Sequence, residues 1–325
     1  MLSRRQVVLF LSCTPLALAL PCCGWRPPEA PLAIAAHAWP GYEPMFLART
    51  QGWLKVGQVR LLETSSATDS LKALADGRVD GAALTLDEVL KARGNGLPLS
   101  VVAVLDISAG ADMVVARPTL KGLADLKGRR LGFEPGAVGE LMLVHALQAA
   151  NLAREDVTLI SLPVDQHLAA WRKNQIDAAV TYEPMASQLL AQGAIKLFDS
   201  RQLPNTIVDV LTIRGDRLDR IHAGAIRHLL QAHFRALEYL RKNPQDAAYR
   251  MAPRLQVSAA DFLSLFKGLV LPDAANNHRL LAGDRPALME SAHTLCTSMV
   301  KSGLLAQDDP LTGLIRADFL PPDFH

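Results

Sequence analysis

The chain has 325 residues, half of them apolar and a fifth charged, so it is long enough for two ordinary domains and too apolar for disorder throughout. Its formal net charge is only +2, and no long run of Lys or Arg follows the first few residues. That balance removes nucleic acid from the expected partners.

The first 24 residues, "MLSRRQVVLFLSCTPLALALPCCG", place Arg4 and Arg5 ahead of an apolar run from Val7 to Leu20 and a boundary containing cysteine. The run is short for a membrane span and suits a secretory signal. The stretch resembles a bacterial lipoprotein signal, in which a Cys becomes the lipidated first residue. Leu20 stands three residues before Cys23, which makes Cys23 the expected anchor and Cys22 the alternative. "SRRQVV" also resembles a twin-arginine export signal, with Val7 where Phe is usual, so twin-arginine and ordinary Sec export both stay open. Cys296 is the one cysteine in the body of the chain, which leaves neither a disulfide framework nor a CxxC metal site. Residues 1–23 are therefore expected to be signal and anchor. The Pro-rich "GWRPPEAP", residues 24–31, is expected to be a tether.

From Leu32 the patterns alternate. "LAIAAHA" is a strand too apolar to be half exposed. "VRLLE", a helix around "DSLKALADG", "VDGAALT", a helix around "DEVLKARGNG" and the strand "LSVVAVL" follow. This order predicts an α/β fold with a mainly parallel sheet flanked by helices. From "RRLGF" the order returns: the turn "EPG", a helix over 138–150, "VTLISLP", a helix in "QHLAAWRKN" and the strand "IDAAVT". Trp39-Pro40-Gly41 matches Glu134-Pro135-Gly136, and Pro40 to Asp80 spans 40 residues where Pro135 to Asp177 spans 42. Two lobes of one design are expected, with 32–115 opening lobe 1, 116–210 forming lobe 2, and a mostly helical 211–325 completing lobe 1. The tail's first helix has apolar residues at 226, 229, 230, 234, 237 and 240, which is helical spacing.

In open parallel sheets, ligands sit beyond the carboxyl ends of the strands, where loops and helix N-termini converge. The two Pro-Gly turns are such loops, and Gly41 and Gly136 allow close backbone approach. Other strand ends add Ser65, Ser66, Thr85, Asp87, Ser108, Gly110, Thr181, Tyr182 and Glu183. Ser66 serves equally well as a helix cap, and Asp87 and Glu88 suit a helix first turn without any ligand. Asp80 and Asp177 read as structural, and packing outranks a ligand role for His37. No GxSxG, HExxH or P-loop occurs, and His222, His228 and His233 are six and five residues apart, which makes no metal pair. The chain is read as a non-enzyme with no cofactor and no metal.

"GYEPMFLARTQGWL", "LKALADGRVDGAAL", "LADLKGRRLGFEPGAVGELMLVHAL", "IDAAVTYEP", "YLRKNPQDAA" and "SGLLAQDDPLTGLIRADFL" together resemble the periplasmic substrate-binding proteins of ABC importers of the nitrate, sulfonate, taurine and thiamine-pyrimidine type. The resemblance covers nearly the whole mature chain. It implies a two-lobed type II periplasmic binding fold, crossing segments near Met113 to Pro118 and Val208 to Arg214, hinge closure on a small ligand, and an ABC permease with its ATPase as partners of a monomer. The ligand contacts it implies are Trp39, Gly41, Tyr42, Ser66, Thr85, Ser108, Gly136, Ala137, Val138, Gly139, Tyr182, Glu183 and Asp209. Sulfonate-binding members place Ser or Thr where this chain has "GAVGE". With Glu140, Glu183, Asp87 and Asp209 as inward-facing candidates, this favours a neutral or cationic ligand. The runner-up readings are an enzyme on the same fold, such as a pyrimidine-precursor synthase or a menaquinone-pathway lyase, and a periplasmic ligand sensor. The synthase reading would want a Cys-rich motif that this chain lacks.

Overall fold

The computed structural model describes residues 30–322. The signal, Cys22, Cys23 and all but the last residues of the tether lie outside them. The first pass of the chain lays down β1 (Leu32–Ala36), α1 (Glu43–Thr50), β2 (Val59–Glu63), α2 (Ala67–Ala75), β3 (Gly81–Thr85), α3 (Leu86–Gly94) and β4 (Leu99–Ser108). Every residue of β1 and β3 is buried, as the unbroken apolar runs require of strands covered on both faces. The second pass gives β5 (Asp112–Ala116), β6 (Arg130–Phe133), α4 (Val138–Ala149), β7 (Thr158–Ser161), α5 (His167–Arg172), β8 (Ala178–Tyr182), α6 (Met185–Ala191) and β9 (Ile195–Asp199). The chain then returns through β10 (Val208–Arg214) to α7 (Ala223–Lys242), α8 (Pro244–Met251), α9 (Ala259–Leu265), β11 (Leu269–Val270), α10 (Ala274–Leu281) and α11 (Ala287–Lys301).

Two mixed sheets result, β11-β4-β10-β3-β1-β2 and β7-β6-β8-β5-β9. Each has a parallel core of three strands, β2-β1-β3 in one and β7-β6-β8 in the other. Each also takes in one antiparallel strand beside that core: β10 lies between β3 and β4, and β5 between β8 and β9. The two passes repeat down to single bonds. Asp80 accepts from Ala33 N–H at 2.8 Å and Asp177 from Arg130 N–H at 3.0 Å, so each carboxylate pins the start of the middle strand of its sheet's parallel core.

The chain leaves the first sheet between Ser108 and Asp112 and re-enters it between Asp199 and Val208. This corrects the expected crossings at 113–118 and 208–214. Met113–Ala116 is hydrogen-bonded within the second sheet, and Val208–Arg214 is a strand of the first. Residues 112–115 thus belong to the second sheet and 208–210 to the first, a few residues away from the expected lobe limits. Both strands pair with partners distant in sequence, a relation that local pattern does not carry. Ser200 ties the crossings together: its Oγ lies 2.8 Å from Ser108 Oγ and accepts from Gly110 N–H at 2.6 Å.

The helical tail packs on the first sheet's layers, α7 and α8 against α1, α10 against β4 and α11 against α3. It also covers the outer edge of β4. β11 pairs there only with Ile107 and Ser108. The buried Asn277 accepts from Val104 N–H at 2.7 Å and donates to Val104 C=O at 3.0 Å. Val101 donates to Leu314 C=O at 2.6 Å and accepts from Arg316 N–H at 2.9 Å. No exposed edge is left along that stretch.

Candidate functional site

The carboxyl ends of the two parallel cores face each other, and the residues that follow them build the site. After β1 the chain runs through His37 and Trp39 into a tight 3-10 turn, Pro40–Tyr42, whose Pro suits the first helical position. Gly41 is required here by close approach: a Cβ at this position would fall inside the Asp106 carboxylate. Trp39 donates its indole N–H to that same carboxylate at 2.9 Å. Asp106 on β4, Asp209 on β10 and Thr85 on β3 are direct cross-strand neighbours, so three polar side chains stand in a row across the end of the first sheet. Tyr42 donates its hydroxyl to Asp209 at 2.5 Å.

A cavity of about 10 Å³, room for a single water, lies where the sheets meet. His37, Trp39, Thr85, Glu88 and Asp209 line it from the first sheet's side, and Asp112, Val138 and Tyr182 from the second's. Tyr182 meets Trp39 edge-on at 5.6 Å between ring centroids and His37 at 5.7 Å. His37 in turn meets Tyr42 edge-on at 5.2 Å.

The helix N-termini at this cleft are filled by the protein's own acids. Glu88 accepts from Thr85 N–H at 2.9 Å with one oxygen and from Val138 N–H, at the start of α4, at 3.1 Å with the other. Glu134 accepts from Thr68 N–H at 3.1 Å and Thr68 hydroxyl at 2.6 Å, at the start of α2. Each sheet thus sends a carboxylate to the other's helix N-terminus, where partial positive charge favours an anion. Lys91 and Glu140 add an ion pair of 3.1 Å between α3 and α4.

Burial raises the acids at this cleft. Desolvation pushes Asp106 up to about 7, with Asp112 adding repulsion, and Asp112 itself to about 7. It pushes Glu88 to about 8, with Asp87 repelling it, and raises Asp87 as well. Asp209 is raised far above the carboxylate range by burial and by Asp106. Burial raises the hydroxyls of Tyr42 and Tyr182, and it lowers His37 to about 3, with Arg254 contributing.

Trp39, Thr85, Val138, Tyr182 and Asp209 thus come together around the cavity, with Gly41 and Tyr42 supporting them. Other expected contacts are turned elsewhere. Ser66 caps α2, accepting from Asp69 N–H at 3.3 Å. Ser108 belongs to the tie between the crossings. Glu183 accepts from Ser187 N–H and hydroxyl at 3.0 and 2.8 Å, which caps α6. Gly136, at φ +80°, donates to Glu140 at 3.1 Å and faces an outer groove shared with Lys91. Ala137 is the residue before α4, and Gly139 lets that helix approach Glu134, whose backbone N and O lie 3.3 Å from where a Cβ would stand. Asp106 and Asp112 were missed by reading the sequence, and Glu88 was taken for an ordinary first-turn acid. The signal for Asp106 was a lone acid inside the apolar run "LSVVAVLDIS". Among the described residues, no three His, Cys, Asp or Glu side chains are grouped to hold a metal ion.

The taurine-binding periplasmic protein of Escherichia coli is 25% identical over 154 residues, which is 46% of this chain and 48% of that protein. The 4-amino-5-hydroxymethyl-2-methylpyrimidine phosphate synthase of Aspergillus parasiticus is 22% identical over 228 residues, 65% of this chain and 66% of that one. Among solved structures, the periplasmic aliphatic sulphonate binding protein SsuA from Escherichia coli aligns with a TM-score of 0.71 at 19% identity, covering 90% of this chain and 99% of that one. The chain spans about half the length of the curated binding proteins it matches, and its fold is that of periplasmic binding proteins. The sequence pattern of the NMT1-like family matches residues 26–255, and the chain belongs to that family.

Proposed function

We propose that the chain is the extracytoplasmic solute-binding component of an ABC importer. It captures a small neutral or cationic molecule between its two sheets and delivers it to a membrane permease and ATPase. It works as a monomer from the periplasmic side, held by a lipid anchor on Cys23, with Cys22 as the alternative acceptor. The observation that carries this reading is the meeting of two sheets, joined only through 109–111 and 200–207, around a site lined from both sides by aromatic rings and acids. Such an arrangement opens and closes about its crossings. The kinship to a taurine-binding protein supports a solute-binding role.

The similarity to the pyrimidine phosphate synthase favours a second reading, an enzyme on the same fold. Cys296, the free cysteine among the described residues, offers that reading little. It is buried in α11, and burial pushes its thiol up to about 11, far from a nucleophile's range.

Protein purified from its native host should release a small molecule identifiable by mass spectrometry, and adding that molecule back should lower the radius of gyration in solution scattering. Release of a chemically altered compound would show turnover and overturn the binding-protein reading. Cys23→Ser should free the protein from the membrane fraction; if only Cys22→Ser does so, Cys22 carries the lipid.

A further inference from the structure

Four carboxyl groups, Glu88, Asp106, Asp112 and Asp209, are buried at the cleft, and no Lys or Arg lines the cavity they surround. The nearest cations are committed elsewhere. Lys91 pairs with Glu140, and Arg254 with Glu43 and, at 3.3 Å, with Glu63. Asp112 Oδ2 and Nδ1 of His37 have no hydrogen-bond partner, whereas Asp106 shares a hydrogen bond with Asp209 and the hydroxyl of Thr85 bonds Asp87. Asp112, Asp209, Thr85 and His37 all line the cavity and are at least nine-tenths buried. Orphaned acceptors at this depth cost free energy unless donors reach them. The donors an anion would use, the N-termini of α2 and α4, are already taken by Glu134 and Glu88.

Resting on the solute-binding reading above, we infer that the cleft binds an organic cation bearing N–H donors, a primary ammonium, amidinium or guanidinium, held by Asp106, Asp112 and Asp209 and flanked by the rings of Trp39, Tyr42 and Tyr182. Asp112 Oδ2 accepts one of its N–H groups, Asp106 and Asp209 accept others as the cation displaces the proton they share, and the aromatic faces add cation–π attraction. The cavity holds no more than a water, so the sheets part to admit the ligand and close on it.

The test is a thermal-shift and calorimetric titration of the full chain with 1,4-diaminobutane, benzamidine and methylguanidine, set against tetramethylammonium, ethanesulfonate and nitrate. At least one N–H cation should stabilise the protein, and the other three should not. Asp106→Asn, Asp112→Asn and Asp209→Asn should each weaken binding of the responding cation about 30-fold or more, while the free protein melts no lower than wild type. The surface change Glu238→Gln should do neither. Stabilisation by ethanesulfonate or nitrate without any cation response overturns the inference, as does an equal response to tetramethylammonium. Unchanged affinity in the Asn variants overturns it as well. A flat response to the whole panel also overturns it. In that case, a neutral or anionic compound released from natively purified protein leaves the solute-binding reading standing, whereas an unliganded preparation of unchanging radius of gyration removes both.

Discussion

Asp106 and Asp209 stand directly opposite each other on β4 and β10, a like-charged pair that a sheet tolerates only with a proton or a counter-charge between them. The groups facing them are Glu88 and Asp87 from α3, Asp112 from β5, Tyr42, Tyr182 and the neutral His37; Lys91 acts on Asp87 and Arg254 on His37. The raised acids bind protons in the folded state that the unfolded chain has already lost. Folding stability therefore falls as pH rises through their folded values of about 7 to about 8. His37, His167 and His233 are lowered by burial to about 3, 4 and 4, and they act in the opposite sense, losing stability as pH falls below their ordinary 6.5. Between about pH 6.5 and 8 the acids act alone, each fully unbalanced group contributing about 1.4 kcal/mol per pH unit. The free protein's melting temperature should drop across that window, and Asp106→Asn should flatten the drop; a melting temperature that rises there would contradict the buried acids. Binding of a cation ionises the same groups, so its affinity should rise over the same window with measurable proton release.

Strand edges are where the elements depend most on single side chains. Asn277 reaches from α10 to satisfy both backbone groups of Val104, and Asn277→Ala would leave two buried polar groups without partners. The expected loss is about 3 kcal/mol, read as a lower urea midpoint with an unchanged slope. The parallel elements were readable beforehand, because "LAIAA" and "GAALT" are unbroken apolar runs and the Pro-Gly turns repeat in step. The inserted strands were not. "DMVVA" and "VDVLTIR" show composition but not partners, and pairing of Asp209 with Asp106 joins residues 103 apart in sequence. The site divides the same way. Trp39, Tyr182 and Asp209 stood at strand ends and could be named. Asp106 sits inside a strand, and Glu88 had a sufficient local explanation in its own helix.

At the scale of the whole molecule, the two sheets are held together by the carboxylates each sends to the other's helices and by the fit of the crossings. Gly268 packs so closely on the first crossing that a Cβ there would fall 2.6 Å from Ala111 N and 2.8 Å from Gly110 C. Gly268→Ala should therefore displace that crossing and enlarge the free protein in solution scattering; an unchanged radius of gyration and ligand affinity would show that the crossing absorbs the methyl elsewhere.

The late return of β10 also decides the order in which the polypeptide can acquire its shape. The second sheet uses one continuous stretch, β5 to β9, and has all its strands once Asp199 has been made. The first has β1 to β4 far earlier, yet β3 and β4 do not touch until β10 arrives between them. A chain made from its N-terminus therefore holds an incomplete first half, with open apolar strand edges, until β10 has been made. Pulse proteolysis of chains truncated just before Val208 should find the 112–199 stretch protected and the 32–108 stretch cut, and extension through Arg214 should begin to reverse that difference. Unassisted, such an intermediate invites edge-to-edge aggregation. The late-arriving strand makes protection of those edges during synthesis a consequence of the topology itself.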